Sequence, residues 1–168
     1  MMGASDVLRI LDCLEAAGVR AWLDGGWGVD ALVGEQTREH DDLDLVVALV
    51  DASAAQTALA TAGFVLTEDE LPTRFVARDA SDLRVDFHTV TFDEQGSGIQ
   101  QLQDGTPWRY PPEGFLGVGR VGGRVVACLT AEVQVLSHLG YDPDDTDRHD
   151  MALLAERCGV TLPDPFSS

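Results

Sequence analysis

A short stretch of the chain alternates between acidic and apolar residues, and this pattern limits it to a half-buried strand. Asp42 and Asp44 alternate with Leu43, Leu45 and Val47. Because successive side chains of a strand point to opposite faces, both carboxylates share one face and the apolar side chains enter a core. Two carboxylates this close repel each other unless a cation lies between them. Magnesium prefers oxygen ligands, so the pair is a candidate metal site.

A second stretch, residues 83–88, alternates in the same way. Its Arg84, Asp86 and His88 share one face, and the three apolar residues between them share the other. If this strand lies beside the first, Asp86 completes the metal site. Asp86 is also a candidate proton acceptor for an attacking hydroxyl.

A glycine-rich turn lies upstream of the acidic strand. Residues 19–23 are a strand candidate, Gly25 and Gly26 form a turn, and residues 28–33 begin a helix that Gly34 closes. Glycines allow a close approach of the backbone, and the N–H groups of a helix start favour phosphate. A strand, a glycine turn, a helix and then an acidic strand therefore indicate a site for a phosphate-bearing ligand and a metal.

The composition excludes several classes of protein. The formal net charge is -18 in 168 residues, which disfavours nucleic acid as a partner because polyanions bind through basic residues. All eleven basic residues are arginines, so the lysine of a Walker-type loop, a Schiff-base enzyme or a protein kinase is missing. The acidic field suits cationic ligands and divalent metals, although solubility alone also explains it.

The sequence predicts no signal peptide and no membrane-spanning segment. Its three separated cysteines indicate reduced thiols in a cytoplasmic protein. Further helices are expected at residues 5–17, 52–62, 130–139 and 147–157, and further strands at residues 64–67, 74–78, 115–118 and 124–128. The polar segment 93–113 is expected to be a long, functional loop. The acidic run 142–147 is interpreted as a helix entry rather than a metal site, because acidic residues complement the helix dipole.

The glycine turn and the acidic strand together resemble the nucleotidyltransferase superfamily related to DNA polymerase β. The longer runs 25–32 and 37–44 look like the small antibiotic nucleotidyltransferases, namely the lincosamide nucleotidyltransferases and the aminoglycoside 2''-adenylyltransferases. Residues 84–88 match the third-carboxylate strand of that group. Further similar segments are 110–119, 128–132 and 147–154, so the resemblance covers nearly the whole chain.

The resemblance implies an α/β (α+β) nucleotidyltransferase fold, with a mixed sheet flanked by helices. Residues 1–128 would form the nucleotidyltransferase domain, and the C-terminal helices of residues 129–168 would pack on it as a single compact unit. Asp42, Asp44 and Asp86 would be the catalytic carboxylates that hold Mg²⁺. ATP or another nucleoside triphosphate would be the co-substrate.

The resemblance also implies roles for residues near the nucleotide. Gly25 and Gly26 would let the triphosphate approach the backbone. Independently of the resemblance, Arg38 is the preferred side-chain contact among Arg38, Arg74, Arg78 and Arg84, because it lies between the glycine turn and the metal pair. Many superfamily members have Gly-Ser where this chain has Gly26 and Trp27, so we expect contact through backbone N–H groups. Candidate substrate contacts are Arg84, His88, Trp108 and Tyr110.

The expected reaction is in-line attack of a substrate hydroxyl on the α-phosphorus, with pyrophosphate leaving. The expected substrate is a cationic small molecule, an aminoglycoside or a lincosamide, bound by a monomer or a homodimer without nucleic acid or membrane. Two alternatives remain open: an antitoxin-type nucleotidyltransferase that modifies a partner protein, and a nucleotide-binding protein without catalysis. The intact set of three aspartates argues against lost catalysis.

Overall fold

The computed structural model describes residues 1–167, so Ser168, the last residue of the predicted C-terminal part, lies outside the described residues. Within that range the helices are α1 (Ala4–Ala16), α2 (Gly25–Val33), α3 (Ala52–Thr61), α4 (Ala131–Ser137) and α5 (Asp145–Cys158). The strands are β1 (Ala21–Asp24), β2 (Asp42–Ala48), β3 (Val65–Glu70), β4 (Arg74–Arg78), β5 (Arg84–Phe92), β6 (Gly98–Gln101), β7 (Pro107–Tyr110), β8 (Gly117–Val121) and β9 (Arg124–Cys128).

The strands form one mixed sheet in the order β3-β4-β5-β2-β1-β9-β8. Strand β2 runs parallel to β5 and antiparallel to β1. The two acidic strands indicated by the sequence are therefore neighbours. The hairpin β6–β7 pairs with the end of β5 and lies off this main path.

One face of the sheet packs on α1 and α3 and forms the larger core. Leu43, Leu45 and Val47 of β2 are buried there with Val85 and Phe87 of β5. Each such side chain stabilises the fold by roughly 1.5–3 kcal/mol through burial. Because the strands alternate, their polar residues emerge on the opposite face.

The prediction of a long loop at residues 93–113 is wrong. The segment contains β6 and β7, which pair antiparallel with each other from Gly98–Tyr110 to Gln101–Pro107. These strands are four residues long and rich in polar residues, so no apolar periodicity marks them. The base of the hairpin packs closely on Phe115, because a Cβ atom on Gly98 would lie 2.6 Å from that ring.

Helix α2 begins three residues earlier than the sequence pattern indicates, because Gly25 and Gly26 lie in its first turn. Asp24 caps this helix, and its carboxylate accepts a hydrogen bond from the Gly25 N–H at 2.8 Å. Gly34 closes the helix with φ of 87°. The predicted turn is therefore a helix start that abuts the end of β1.

The acidic run before α5 is a helix entry, as the sequence predicts. Asp144 accepts a hydrogen bond from the Asp147 N–H at 2.9 Å, and the Asp147 carboxylate accepts one from the Asp144 N–H at 3.0 Å. This reciprocal pair is a capping box. Met151 and Leu154 of α5 then pack against Val29 of α2. In the described part of the chain, no helix is both long enough and apolar enough to cross a membrane.

Candidate active site

Three aspartates lie side by side on the polar face of the sheet. The antiparallel register of β1 and β2 pairs Asp24 with Asp44, and the parallel register of β2 and β5 pairs Asp44 with Asp86. Residues that are directly opposed on neighbouring strands point to the same face. Strand pairing thus builds a row of carboxylates from three segments of the chain.

Asp44, Asp86 and His88 form the tightest group in this row, since one potential ligand atom from each lies within 4.8 Å of the others. His88 Nε2 is 3.7 Å from Asp44 Oδ1. Asp86 Oδ2 accepts hydrogen bonds from Arg74 and Arg84, both at 2.9 Å. Asp86 Oδ1 is buried without a hydrogen-bond partner among residues 1–167. A buried carboxylate oxygen of this kind fits a site for a cation.

Asp42 lies beside this group rather than within it. Its register partner on β5 is Arg84, which donates a hydrogen bond from Nη1 to Asp42 Oδ2 at 3.0 Å. Burial raises the pKa of Asp42, and the charge of Asp44 raises it further. Arg84 therefore bridges Asp42 and Asp86. The guanidinium group of Arg84, which the sequence predicts as a substrate contact, is thus bound by two carboxylates.

Burial and charge shift the pKa values of the central groups in opposite ways. Burial raises the pKa of Asp86, and His88 and Arg74 partly oppose this rise. Burial lowers the pKa of His88, but the carboxylates of Asp44, Asp24 and Asp86 outweigh it and raise that pKa to about 9. The His88 imidazole is consequently cationic at neutral pH and offsets part of the negative charge around it.

The start of α2 reaches the carboxylate row because its first two residues lack side chains. Gly25 has φ of 55°, and a Cβ atom at this position would collide with the Asp44 carboxylate. A Cβ atom on Gly26 would collide with Arg38 and would lie 2.7 Å from the His40 ring. The helix start, whose Gly25 N–H is capped by Asp24, therefore packs directly against the acidic strand.

Two buried acids fix the loop between α2 and β2. Asp30 accepts hydrogen bonds from the Thr37 N–H at 3.1 Å and the Thr37 hydroxyl at 2.5 Å, and its Oδ2 is 2.5 Å from His40 Nε2. Arg38 donates from Nε and Nη2 to Asp150 of α5 at 3.0 and 2.8 Å. The predicted nucleotide contact Arg38 is thus oriented by the C-terminal helix.

A cavity of about 860 Å³ opens beside the row of carboxylates. Asp24, Asp44 and His88 lie on its wall, together with Arg74. The hairpin β6–β7 and the end of α4 supply its other walls, including Gln100, Trp108, Tyr110 and His138. Of the four predicted substrate contacts, His88, Trp108 and Tyr110 line this cavity.

A chain of hydrogen bonds attaches the hairpin to the site. Tyr110 donates to Gln100 Oε1 at 3.0 Å, and Gln100 Nε2 donates to the Thr73 carbonyl at 3.0 Å and lies 3.3 Å from His88 Nδ1. Burial raises the pKa of Tyr110 well above its ordinary value, so the phenol remains a donor. These bonds hold the aromatic wall next to His88.

Sequence patterns did not indicate Asp24, Gln100 or His138 as site residues. Asp24 directly precedes the glycine pair at the end of β1, and only the register of β1 on β2 places it beside Asp44. Gln100 was hidden in the segment interpreted as a loop. His138 was interpreted as an ordinary helix residue, but it lies at the end of α4 with Nδ1 2.7 Å from the Gln134 carbonyl.

Known proteins with similar sequences span most of the chain. A profile of the family described as aminoglycoside-2''-adenylyltransferase matches residues 6–154. A lincosamide resistance protein of Staphylococcus haemolyticus is 31% identical over 146 residues, which are 87% of this chain and 90% of that protein. A 2''-aminoglycoside nucleotidyltransferase of Klebsiella pneumoniae is 29% identical over 143 residues, which are 83% of this chain and 76% of that protein.

Two solved structures confirm the predicted α/β fold. The lincomycin-bound crystal structure of the lincosamide antibiotic adenylyltransferase LnuA has a TM-score of 0.78 and 31% sequence identity, and the match covers 88% of this chain and 93% of that one. The crystal structure of ANT(2")-Ia in complex with adenylyl-2"-tobramycin has a TM-score of 0.74 and 20% identity, with 93% and 89% of the two chains covered. The second likeness shows the fold alone.

Proposed function

Since the chain belongs to the aminoglycoside-2''-adenylyltransferase family and is a nucleotidyltransferase, we propose that it transfers AMP from ATP to a hydroxyl of a cationic antibiotic. The acceptor class is an aminoglycoside or a lincosamide, as for the similar proteins. Mg²⁺ is the proposed metal. The enzyme is proposed to be cytoplasmic and to act on this small molecule as a monomer or a homodimer.

One observation carries this proposal: the group of Asp44, Asp86 and His88 lies where a helix start and a large cavity meet. The helix start offers N–H groups to phosphate, and the carboxylates offer oxygen atoms to a divalent cation. The cavity offers room for a ring-bearing acceptor. A transfer reaction needs these three features within reach of one phosphorus atom.

Asp44 and Asp86 are the proposed principal ligands of Mg²⁺, with Asp42 as the third carboxylate. The unpartnered Oδ1 of Asp86 supports this assignment, because a buried carboxylate oxygen without a donor is otherwise costly. Arg84 holds Asp42 at the edge of the group. When bound, the ion offsets the repulsion among the carboxylates and stabilises charge that develops on the phosphate oxygens.

The triphosphate is proposed to lie along the first turn of α2. Gly25 and Gly26, which are half-buried, present backbone rather than side chains there, and the helix dipole favours the negative charge. Arg38 lies against Gly26 and is held by Asp150, so its guanidinium is oriented before any ligand arrives. Preorganisation of this kind lowers the entropic cost of binding.

The acceptor is proposed to occupy the cavity, with its reacting hydroxyl directed at the carboxylate row. Trp108 and Tyr110 give the cavity an aromatic wall that suits the apolar face of a sugar ring. Asp86 would help to hold the metal and is also the proposed acceptor of the hydroxyl proton, because its Oδ1 has no hydrogen-bond partner among residues 1–167. Arg74 and Arg84 fix the other oxygen of Asp86 and so keep this one in place.

Pyrophosphate release tests this function directly. The purified protein is incubated with ATP and Mg²⁺ and with each member of a panel of aminoglycosides and lincosamides. Release that depends on one drug class supports the proposal, provided that Asp44→Asn abolishes it and Asp82→Asn, at an exposed turn, does not. A folded wild-type protein that releases no pyrophosphate with any compound would refute antibiotic adenylylation.

A further inference from the structure

One carboxylate oxygen of Asp24 accepts no hydrogen bond from the described residues. Its Oδ1 accepts the capping hydrogen bond from Gly25, whereas its Oδ2 has no hydrogen-bond partner within residues 1–167. The residue is only 7% exposed, and it lines the cavity. Because the residue is largely buried but lies on the cavity wall, this oxygen is accessible to a ligand that enters from the cavity.

Asp24 is separate from the group assigned to the metal. The cluster of close ligand atoms contains Asp44, Asp86 and His88 but not Asp24. In the sheet, β1 and β5 lie on opposite sides of β2, so Asp24 and Asp86 flank Asp44 from opposite sides. A cation between Asp44 and Asp86 therefore leaves Asp24 free to contact a molecule in the cavity.

The surroundings of Asp24 suit an amine that is attached to a ring. Trp108 and Tyr110 form an aromatic wall, with their rings perpendicular and their centroids 6.3 Å apart. The exposed Asp104 lines the cavity as well and adds negative charge. The carboxylates of Asp24, Asp44 and Asp104 outnumber the cationic Arg74 and His88 on this wall, and an ammonium group forms a strong, charge-assisted hydrogen bond to a carboxylate.

Building on the proposed function, we infer that Asp24 determines acceptor specificity by binding a protonated amine of the acceptor through its free Oδ2. The acceptor class that this residue selects is an amine-bearing polyol or amino sugar. Asp24 positions this molecule beside Asp44 and takes no part in the transfer of the phosphoryl group. The residue that caps the phosphate-binding helix thereby also contacts the second substrate.

Asp24→Asn isolates the charge of this residue. The amide oxygen of asparagine still accepts the hydrogen bond from Gly25, so the helix cap is kept while the negative charge is lost. Asp24→Ser, which also retains a capping oxygen, is a second variant that guards against a loss of binding caused by misfolding of Asp24→Asn. Asp82→Asn is the matched control, since it removes the same charge from a side chain that is 82% exposed in the turn between β4 and β5.

Titration calorimetry of tobramycin and of lincomycin, without nucleotide, measures acceptor binding, and a separate titration measures ATP with Mg²⁺. In the Asp24 variants we expect the Kd of the bound drug to rise at least about tenfold, which is the typical effect of losing a hydrogen bond to a charged group. The affinity for ATP should not change, and the Asp82→Asn protein should bind both ligands as the wild type does.

Three results would overturn this assignment: unchanged drug affinity in both Asp24 variants, an equal loss of ATP affinity, or a wild-type protein that binds neither drug. The equal loss would place Asp24 in the nucleotide site. Failure of the proposed function looks different. A wild-type protein that binds a drug through Asp24 but releases no pyrophosphate would refute the transfer reaction and leave the binding role intact.

Discussion

Arg38 and Asp150, which are 112 positions apart, form a bidentate ion pair between the loop before β2 and the C-terminal helix α5. The Asp150 side chain is only 3% exposed. We predict that Asp150→Asn lowers the free energy of unfolding by about 3 kcal/mol, as expected when a buried ion pair loses one charge. The KM for ATP should rise because Arg38 is no longer held at Gly26. Denaturant unfolding and steady-state kinetics measure the two effects.

The chain offers a matched control for this pair. Arg157 of α5 donates to Glu35, just beyond α2, at 2.9 Å, but the two side chains are 44% and 60% exposed. Glu35→Gln should therefore cost less than about 1 kcal/mol and should leave the KM for ATP unchanged. If both variants raised that KM equally, docking of the helix rather than the orientation of Arg38 would be the cause.

Gly25→Ala should greatly lower the rate of the reaction while lowering the free energy of unfolding only moderately. The new Cβ would collide with the Asp44 carboxylate, and a displacement of about 1 Å in a reacting group lowers the rate roughly a hundredfold. The left-handed backbone adds a stability loss of roughly 1–2 kcal/mol. Gly34→Ala is the control, because φ there is 87° and no atom lies within 4 Å of the added Cβ. It should lose similar stability in thermal unfolding and retain pyrophosphate release.

Trp108→Ala should weaken binding of the acceptor and leave binding of the nucleotide unchanged. The indole lines the cavity and packs at its edge against Tyr110. Loss of an aromatic contact worth about 1.4 kcal/mol raises the KM for the acceptor about tenfold. Trp108→Phe, which retains an aromatic ring, should lie between the wild type and Trp108→Ala. A rise in the KM for ATP instead would show that the nucleotide base, and not the acceptor, contacts this wall.

Cys128 should resist alkylation until the protein unfolds. Burial raises the pKa of its thiol to about 12, whereas Cys158 at the end of α5 is exposed. The thiolate is the reactive form, so at about pH 8 iodoacetamide should label Cys158 and spare Cys128 in the folded protein. In denaturant the Cys128 pKa returns to roughly 8.5 and the residue becomes reactive. Peptide mass spectrometry reads both states, and rapid labelling of folded Cys128 would contradict its burial.

The acidic strands were predictable because their signal is local. Alternation over a few residues places Asp44 and Asp86 on the polar faces of β2 and β5, whatever the rest of the fold. The capping run before α5 was predictable for the same reason, since Asp144 and Asp147 act within one helical turn. Each of these features depends on residues that are close in the chain.

Features that depend on distant contacts were not predictable from one sequence. The position of Asp24 beside Asp44 follows from strand register, which local composition does not encode. The pairing of Arg38 with Asp150 requires that α5 pack against α2. This contact between distant segments is not encoded by any short sequence motif. The hairpin β6–β7 is stabilised by its contacts with β5 and Phe115 rather than by strand propensity of its own.

The way in which the β6–β7 hairpin is attached to the sheet has a consequence for the evolution of the cavity. The hairpin joins the sheet through the last residues of β5, at Thr91 and Phe92, beyond the segment that carries Asp86 and His88. A short, separate piece of chain thus shapes one wall of the cavity, and the groups that perform the chemistry lie elsewhere. Substitution of Trp108 is therefore expected to alter the wall of the cavity, whereas Gln100 and Tyr110 connect the hairpin to Thr73 and His88 and are less free to change. During evolution, a protein with this architecture can therefore change the shape of its cavity through a small number of substitutions in one hairpin.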